Sequence, residues 1–198
     1  LFTRVMLNNT MVLHGESGTG KSSLVQAGLI PLLEKHNAVL LSQNKPQFIP
    51  VTVRLDYISK KSNEDGNKEI VDGDILVSQI MNGINEFKEF KAKELPYIDG
   101  KADSFWYTAK LFERNNHTLL LILDQFEELQ GYSYKDSLAF TKKLSELFVS
   151  LMPESIYAEY EEKTSGLINE VEMSDDAKKE YNQNIKFLEQ RLNVRILF

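Results

Sequence analysis

The chain has 198 residues, 42% hydrophobic and 26% charged, with a formal net charge of −6 and no cysteine. This is the composition of an ordinary globular protein, one domain or a little more, long enough to bury a real core. It excludes disulfides and cysteine-ligated metal sites, and no apolar run of about 18 residues could span a membrane.

The charge is unevenly placed. Glu154 to Glu189 holds ten acidic residues against Lys163, Lys178, Lys179 and Lys186, which accounts for the whole −6. The remainder is neutral, which argues against nonspecific binding of nucleic acid. The lack of cysteine suits a reducing cytoplasm, the expected location. The chain opens on Leu1 and closes on the apolar run Val194 to Phe198. The expectation is therefore a fragment of a larger protein.

A short lead-in at 1–9 precedes a first predicted strand at about 10–14, ending near His14, which we read as structural. Gly15 to Leu24 follows as GESGTGKSSL. It fits the phosphate-binding pattern G-x-x-x-x-G-K-[ST] at Gly15, Gly20, Lys21 and Ser22. A loop that wraps a triphosphate must bring backbone N–H groups close to anionic oxygens, and glycine leaves room for that approach. The predicted cradle is Gly15, Glu16, Ser17, Gly18, Thr19, Gly20, Lys21, Ser22 and Ser23. Lys21 would neutralise the outer phosphates, Ser22 would ligate Mg²⁺, and the next helix would aim its positive dipole end at the same anions.

That helix is predicted from Lys21 to about Ile30 with Leu24, Ala27 and Gly28 on one face, Gly28 packing closely on the sheet. Pro31 should kink or restart it. Phe48 to Leu55 reads as a second strand, rich in β-branched residues, with Arg54 and Asp56 near its C-terminal end as a solvated cap pair. A polar loop at 59–69 leads to a predicted helix from about Asp72 to Phe90, where Leu76, Ile80, Ile84 and Phe87 recur at helical spacing. Pro96 to Lys101 is a turn, and Ser104 to Asn115 a helix carrying the single tryptophan, Trp106.

Thr118 to Leu123 is apolar throughout, as a central parallel strand buried on both faces should be. It ends in Asp124, Gln125, Phe126, Glu127 and Glu128. A carboxylate at such a strand end, following a phosphate loop, is the Walker B arrangement, so Asp124 should hold Mg²⁺ together with Ser22. Glu127 or Glu128 would activate water, Glu127 being preferred, and Gln125 would polarise water or bond the loop. Amphipathic helices are predicted from Lys135 to Met152, with Leu138, Thr141, Leu144, Leu147 and Leu151, and from Asp175 to Leu192, started by Ser174. Residues 154–175 between them are acidic and only weakly periodic, a broken helix, and 154–192 as a whole reads as an acidic helical insertion. Asn193 to Phe198 is a fourth strand at which the chain stops. Alternating strands and helices imply an α/β fold, a three-layer, mostly parallel sheet of the P-loop NTPase kind.

GESGTGKSSLVQAGLIPLL together with LLLILDQFEEL resembles the STAND class of P-loop ATPases, and within it the novel STAND NTPases, whose hallmarks are GKSSL-x-x-AGL-x-P and DQFEE. These stand at Gly20 to Pro31 and Asp124 to Glu128. The resemblance implies an ATP-dependent molecular switch, an ATPase core between an N-terminal effector and a C-terminal sensor that oligomerises when triggered, often in bacterial defence against phage. It implies ATP and ADP as ligands, Mg²⁺ as cofactor, and a nucleotide-sensing arginine beyond Phe198. The choice of ATP over GTP rests on this resemblance, since no guanine-reading N-K-x-D is present. A nucleotide-binding scaffold without turnover is the alternative, motivated by Gln125 where many ATPases of this broad class carry glutamate. A P-loop kinase is less favoured, because the five arginines (Arg4, Arg54, Arg114, Arg191, Arg195) do not cluster near the loop, and no LSGGQ-like signature supports a transporter ATPase.

Overall fold

The computed structural model describes residues 1–16, 18–54, 81, 94–99, 104–149, 151–170 and 174–198. Apart from Met81, which is helical and buried, the helix expected at 72–90 lies outside the described residues, as do the loop at 59–69, Asp56 and Ser17. In chain order the elements are α1 (Phe2–Leu7), β1 (Thr10–Met11), α2 (Lys21–Ser23), a π-helical stretch (Leu24–Leu29), α3 (Ile30–Ser42) and β2 (Gln47–Arg54). Then come α4 (Phe105–Arg114), β3 (His117–Asp124), a 3-10 helix (Phe126–Gly131), α5 (Tyr134–Val149), α6 (Glu154–Glu170), α7 (Asp175–Glu189) and β4 (Arg195–Leu197).

The four strands form one parallel sheet in the order β1, β4, β3, β2. β4 thus slots between the first strand and β3, and Leu13 N–H to the Phe198 carbonyl and Phe198 N–H to the Met11 carbonyl continue its ladder with β1. Period-two alternation on β3 builds the layers. Leu119, Leu121 and Leu123 join Val51, Val53 and Ile196 in a core with α4, α5, α6 and α7. Leu120 and Ile122 face the other way, onto Val5, Val25, Leu29, Leu33 and Leu197. Helices therefore cover both faces of the sheet, the three-layer α/β arrangement expected from the sequence.

Local chemistry starts and fastens these elements. The Ser104 and Ser174 hydroxyls accept from the Tyr107 and Ala177 N–H groups at the starts of α4 and α7, satisfying donors with no partner in the helix. Lys110, fully buried, donates to Glu113 and to the Phe187 carbonyl, which ties α4 to α7. Such a group is tolerated because its charge and donors are paired.

Several expectations are corrected. β1 is two residues long, and Val12 beyond it is 69% exposed on the edge of the sheet. The helix after the glycine loop restarts at Ile30, in keeping with the kink or restart expected at Pro31, and runs on to Ser42. Proline lacks the N–H for the carbonyl four residues back and its ring presses on that carbonyl. The i→i+5 stretch just upstream, with Ile30 N–H bonded to the Val25 carbonyl, widens the turn and accommodates it. The buried stripe is accordingly Val25, Leu29 and Leu33, while Leu24 and Ala27 are exposed. Gly28 does not pack on the sheet; a Cβ there would meet Leu24 Cδ1 at 3.3 Å. On α5 the buried residues include Phe140, Leu144 and Leu147, with Leu138 exposed. Residues 154–170 form one helix, without the expected break there, because Ile156, Tyr160 and Thr164 recur every four residues and are buried.

Candidate functional site

The site is assembled at the C-terminal edge of the parallel sheet, where open α/β sheets present their loops. β1 delivers the chain to the glycine loop, and Gly20 begins the helix. Gly18 and Gly20 have φ of +80° and +83°, left-handed values that favour glycine. Gly15 is restricted by space instead, since a Cβ would lie 3.0 Å from Thr19 Oγ1. The loop is cross-braced. Thr19 Oγ1 donates to the Glu16 carbonyl at 2.7 Å, and Lys21 Nζ donates to the carbonyls of Gly15 and Glu16 at 2.6 and 3.1 Å. An ammonium has three donors, so one remains to face an anion above the loop.

Across the site, alternation on β3 sends Asp124 to the same face as Leu120 and Ile122, the face that α2 covers. Ser22 Oγ, 102 residues away in sequence, lies 2.9 Å from both carboxylate oxygens of Asp124. Two adjacent ligands of an octahedral Mg²⁺, each bonded at about 2.1 Å, are themselves about 2.9 Å apart. The hydroxyl and carboxylate thus have the spacing and the hard-oxygen chemistry to hold a divalent cation. Among the described residues no three His, Cys, Asp or Glu converge as a metal site. A cation here would take its other ligands from a bound nucleotide and water.

The turn after Asp124 is strained. Gln125 adopts φ 58° and ψ 39°, left-handed for a residue with no local reason to be so, at a cost of about 1–3 kcal/mol. Its N–H donates to Asp124 Oδ1 at 3.1 Å, and its side-chain oxygen accepts from Arg54 Nε at 2.5 Å. The chain then enters the 3-10 helix. Phe126 turns inward, its ring 4.6 Å from that of Phe198 in an edge-to-face contact.

A cleft open to solvent, with a cavity volume of about 40 Å³, lies between the start of the helix and the end of β3. Lys21, Ser22, Gln26, Thr52, Asp124, Gln125 and Glu127 supply its polar lining. Glu127 is exposed on that wall, whereas Glu128 does not line it. His14 is exposed and likewise outside the lining, so it is no part of the core. Lys21, Ser22, Asp124, Gln125 and Glu127 all line this one pocket. Gln26, Thr52, Phe126 and Phe198 were not singled out. Thr52 had a signal, being two residues before Arg54 on a strand and so on the same face.

A glycine loop between a parallel strand and a helix, facing an aspartate at the end of another strand, defines a nucleoside-triphosphatase type of α/β domain. The family model Novel STAND NTPase 1 matches residues 1–161, and the chain belongs to that family. Comparison with curated proteins and with solved structures gave no significant match. Family membership makes this a STAND NTPase module that uses nucleotide. Among the described residues no helix is long and apolar enough to cross a membrane.

Proposed function

We propose that this domain is the Mg-ATP-binding, slowly hydrolysing switch core of a STAND-type signal-transducing protein. The observation that carries the proposal is the 2.9 Å approach of the Ser22 hydroxyl to the Asp124 carboxylate beside the Lys21 ammonium. In this reading the amides of Gly15 to Ser23 cradle the phosphates, and the helix N-terminus adds its dipole. Lys21 neutralises the outer phosphates. Ser22 and Asp124 hold Mg²⁺, which when bound would offset charge on the phosphate oxygens. Glu127 orients a water toward the terminal phosphorus and accepts its proton as the bond to the departing ADP oxygen breaks. Its position on the pocket wall favours it over Glu128. Effector and sensor segments of the same protein would be its partners, with oligomerisation on activation, in the cytoplasmic, antiviral setting that the family suggests.

Lys21→Ala should weaken ATP binding by calorimetry about a hundredfold, the scale of losing a charge-assisted contact to phosphate. Unchanged affinity would end this reading.

Gln125, one residue after Asp124, motivates a second reading, a scaffold that binds nucleotide without turnover. Phosphate release from the whole protein distinguishes them. Glu127→Gln should lower kcat by roughly a hundredfold or more while Glu128→Gln changes it less than about threefold. Wild-type protein that binds ATP yet releases no phosphate above background would favour the scaffold.

A further inference from the structure

The inference concerns what holds the strained turn, and it rests on reading the site as hydrolytic. Arg54 is the last residue of β2 and sits opposite Asp124 in the parallel register. It therefore reaches the residue just after the metal-facing carboxylate, and its Nε donates to Gln125 Oε1 at 2.5 Å.

Gln125 needs such a partner. Asn44, Asn116 and Tyr97 also have positive φ; asparagine's short side chain tolerates that region, whereas tyrosine and glutamine share no such preference and must be held by their surroundings. Two hydrogen bonds internal to the turn, Gln125 N–H to Asp124 Oδ1 and Glu128 N–H to the Gln125 carbonyl, come and go with the turn itself. The Arg54 bond comes from a different strand, anchored by the β2–β3 ladder. Strained backbone persists where surrounding structure over-determines it, and it concentrates at functional sites. Here its consequence is visible: Gln125 sets the direction of the 3-10 helix, and that direction puts Glu127 on the pocket wall.

We propose that Arg54 is a positioning residue. By holding the Gln125 side chain it keeps the turn after Asp124 in the conformation that sets Glu127 against the bound nucleotide. Turnover then depends on Arg54 while nucleotide affinity does not.

The test uses the full-length protein, with phosphate release, calorimetric ATP affinity, and amide hydrogen exchange at 126–131 measured without nucleotide. Arg54→Ala should lower kcat on the order of tenfold to a hundredfold, the effect of misplacing a catalytic group. ATP affinity should stay within about twofold, and exchange at 126–131 should quicken about tenfold. Arg54→Lys keeps the charge but loses the planar Nε donor, so it should behave like Arg54→Ala. On a Gln125→Gly background, where the left-handed turn needs no external holder, Arg54→Ala should change neither kcat nor exchange further. Unchanged exchange in Arg54→Ala, full activity in Arg54→Lys, or an equal loss in both backgrounds each overturns the proposal. A wild-type protein that releases no phosphate, yet shows faster exchange in Arg54→Ala, overturns the hydrolytic reading and upholds the tether.

Discussion

The two faces of the sheet are built to different densities. Among the described residues, twenty-three buried apolar side chains form the cluster on the side of α4 to α7, against seven on the side of the glycine loop and α3. The thin face carries Ser22, Asp124 and the loop, together with exposed apolar groups such as Val12 and Leu24. Polar side chains that reach into an open pocket are spared from packing, so the two faces divide the labour. Substitutions on the thick face should register in stability, and those on the thin face in binding and turnover.

The largest expected effect breaks the thick face. Trp106 is fully buried among Phe105, Phe112 and their neighbours. Trp106→Ala should cost about 3–5 kcal/mol of unfolding free energy in a urea titration. ATP affinity of the protein that remains folded should hold. A loss under about 1 kcal/mol would mean that this face is not the mechanical core.

Much of this division was legible in the sequence because it follows from period and spacing. The all-apolar run Leu119 to Leu123 declared a strand buried on both sides, and its terminal Asp124 then had to fall on the face that alternation assigns. The glycine loop carried its own signature. What alternation could not reveal was the π-helical stretch before Pro31, because it depends on hydrogen bonds along the helix rather than on which residues are apolar. The expected face of Leu24, Ala27 and Gly28 lost to Val25, Leu29 and Leu33, a competing apolar stripe at the same helical spacing. The Arg54–Gln125 bond was equally hidden: strand order and register brought together residues 71 apart. The order β1, β4, β3, β2 itself depends on crossovers that no local pattern records.

A middle-sized effect sharpens the comparison within the thin face, using two glycines. Gly18 has open space around a Cβ but a φ of +80°, so Gly18→Ala should destabilise by about 1–2 kcal/mol through backbone strain alone. Gly28 is helical, and among the described residues a Cβ there would meet the movable end of exposed Leu24. Gly28→Ala should therefore stabilise, by about 0.5–1 kcal/mol, because alanine loses less backbone entropy in a helix. The same substitution with opposite signs at two positions is read directly from urea midpoints. Matching signs would show that the loop conformation adapts.

The smallest effect returns to the thick face and its few titrating groups. Burial, aided by the nearby Glu189 carboxylate, pushes the Tyr160 hydroxyl from its ordinary 10.0 to about 12. A raised folded-state pKa means that the folded protein keeps the proton where the unfolded chain has lost it. The contribution is complete below pH 10 and drains away between 10 and about 12, as the unfolded chain gains the charge that the folded one refuses. Urea midpoints measured across that window should fall with rising pH. Tyr160→Phe, which cannot ionise, should fall less steeply, and parallel slopes would assign the alkaline loss to other groups. Because Tyr160 belongs to α6 and lies outside the pocket, ATP affinity corrected for the unfolded fraction should show no matching difference between the two proteins.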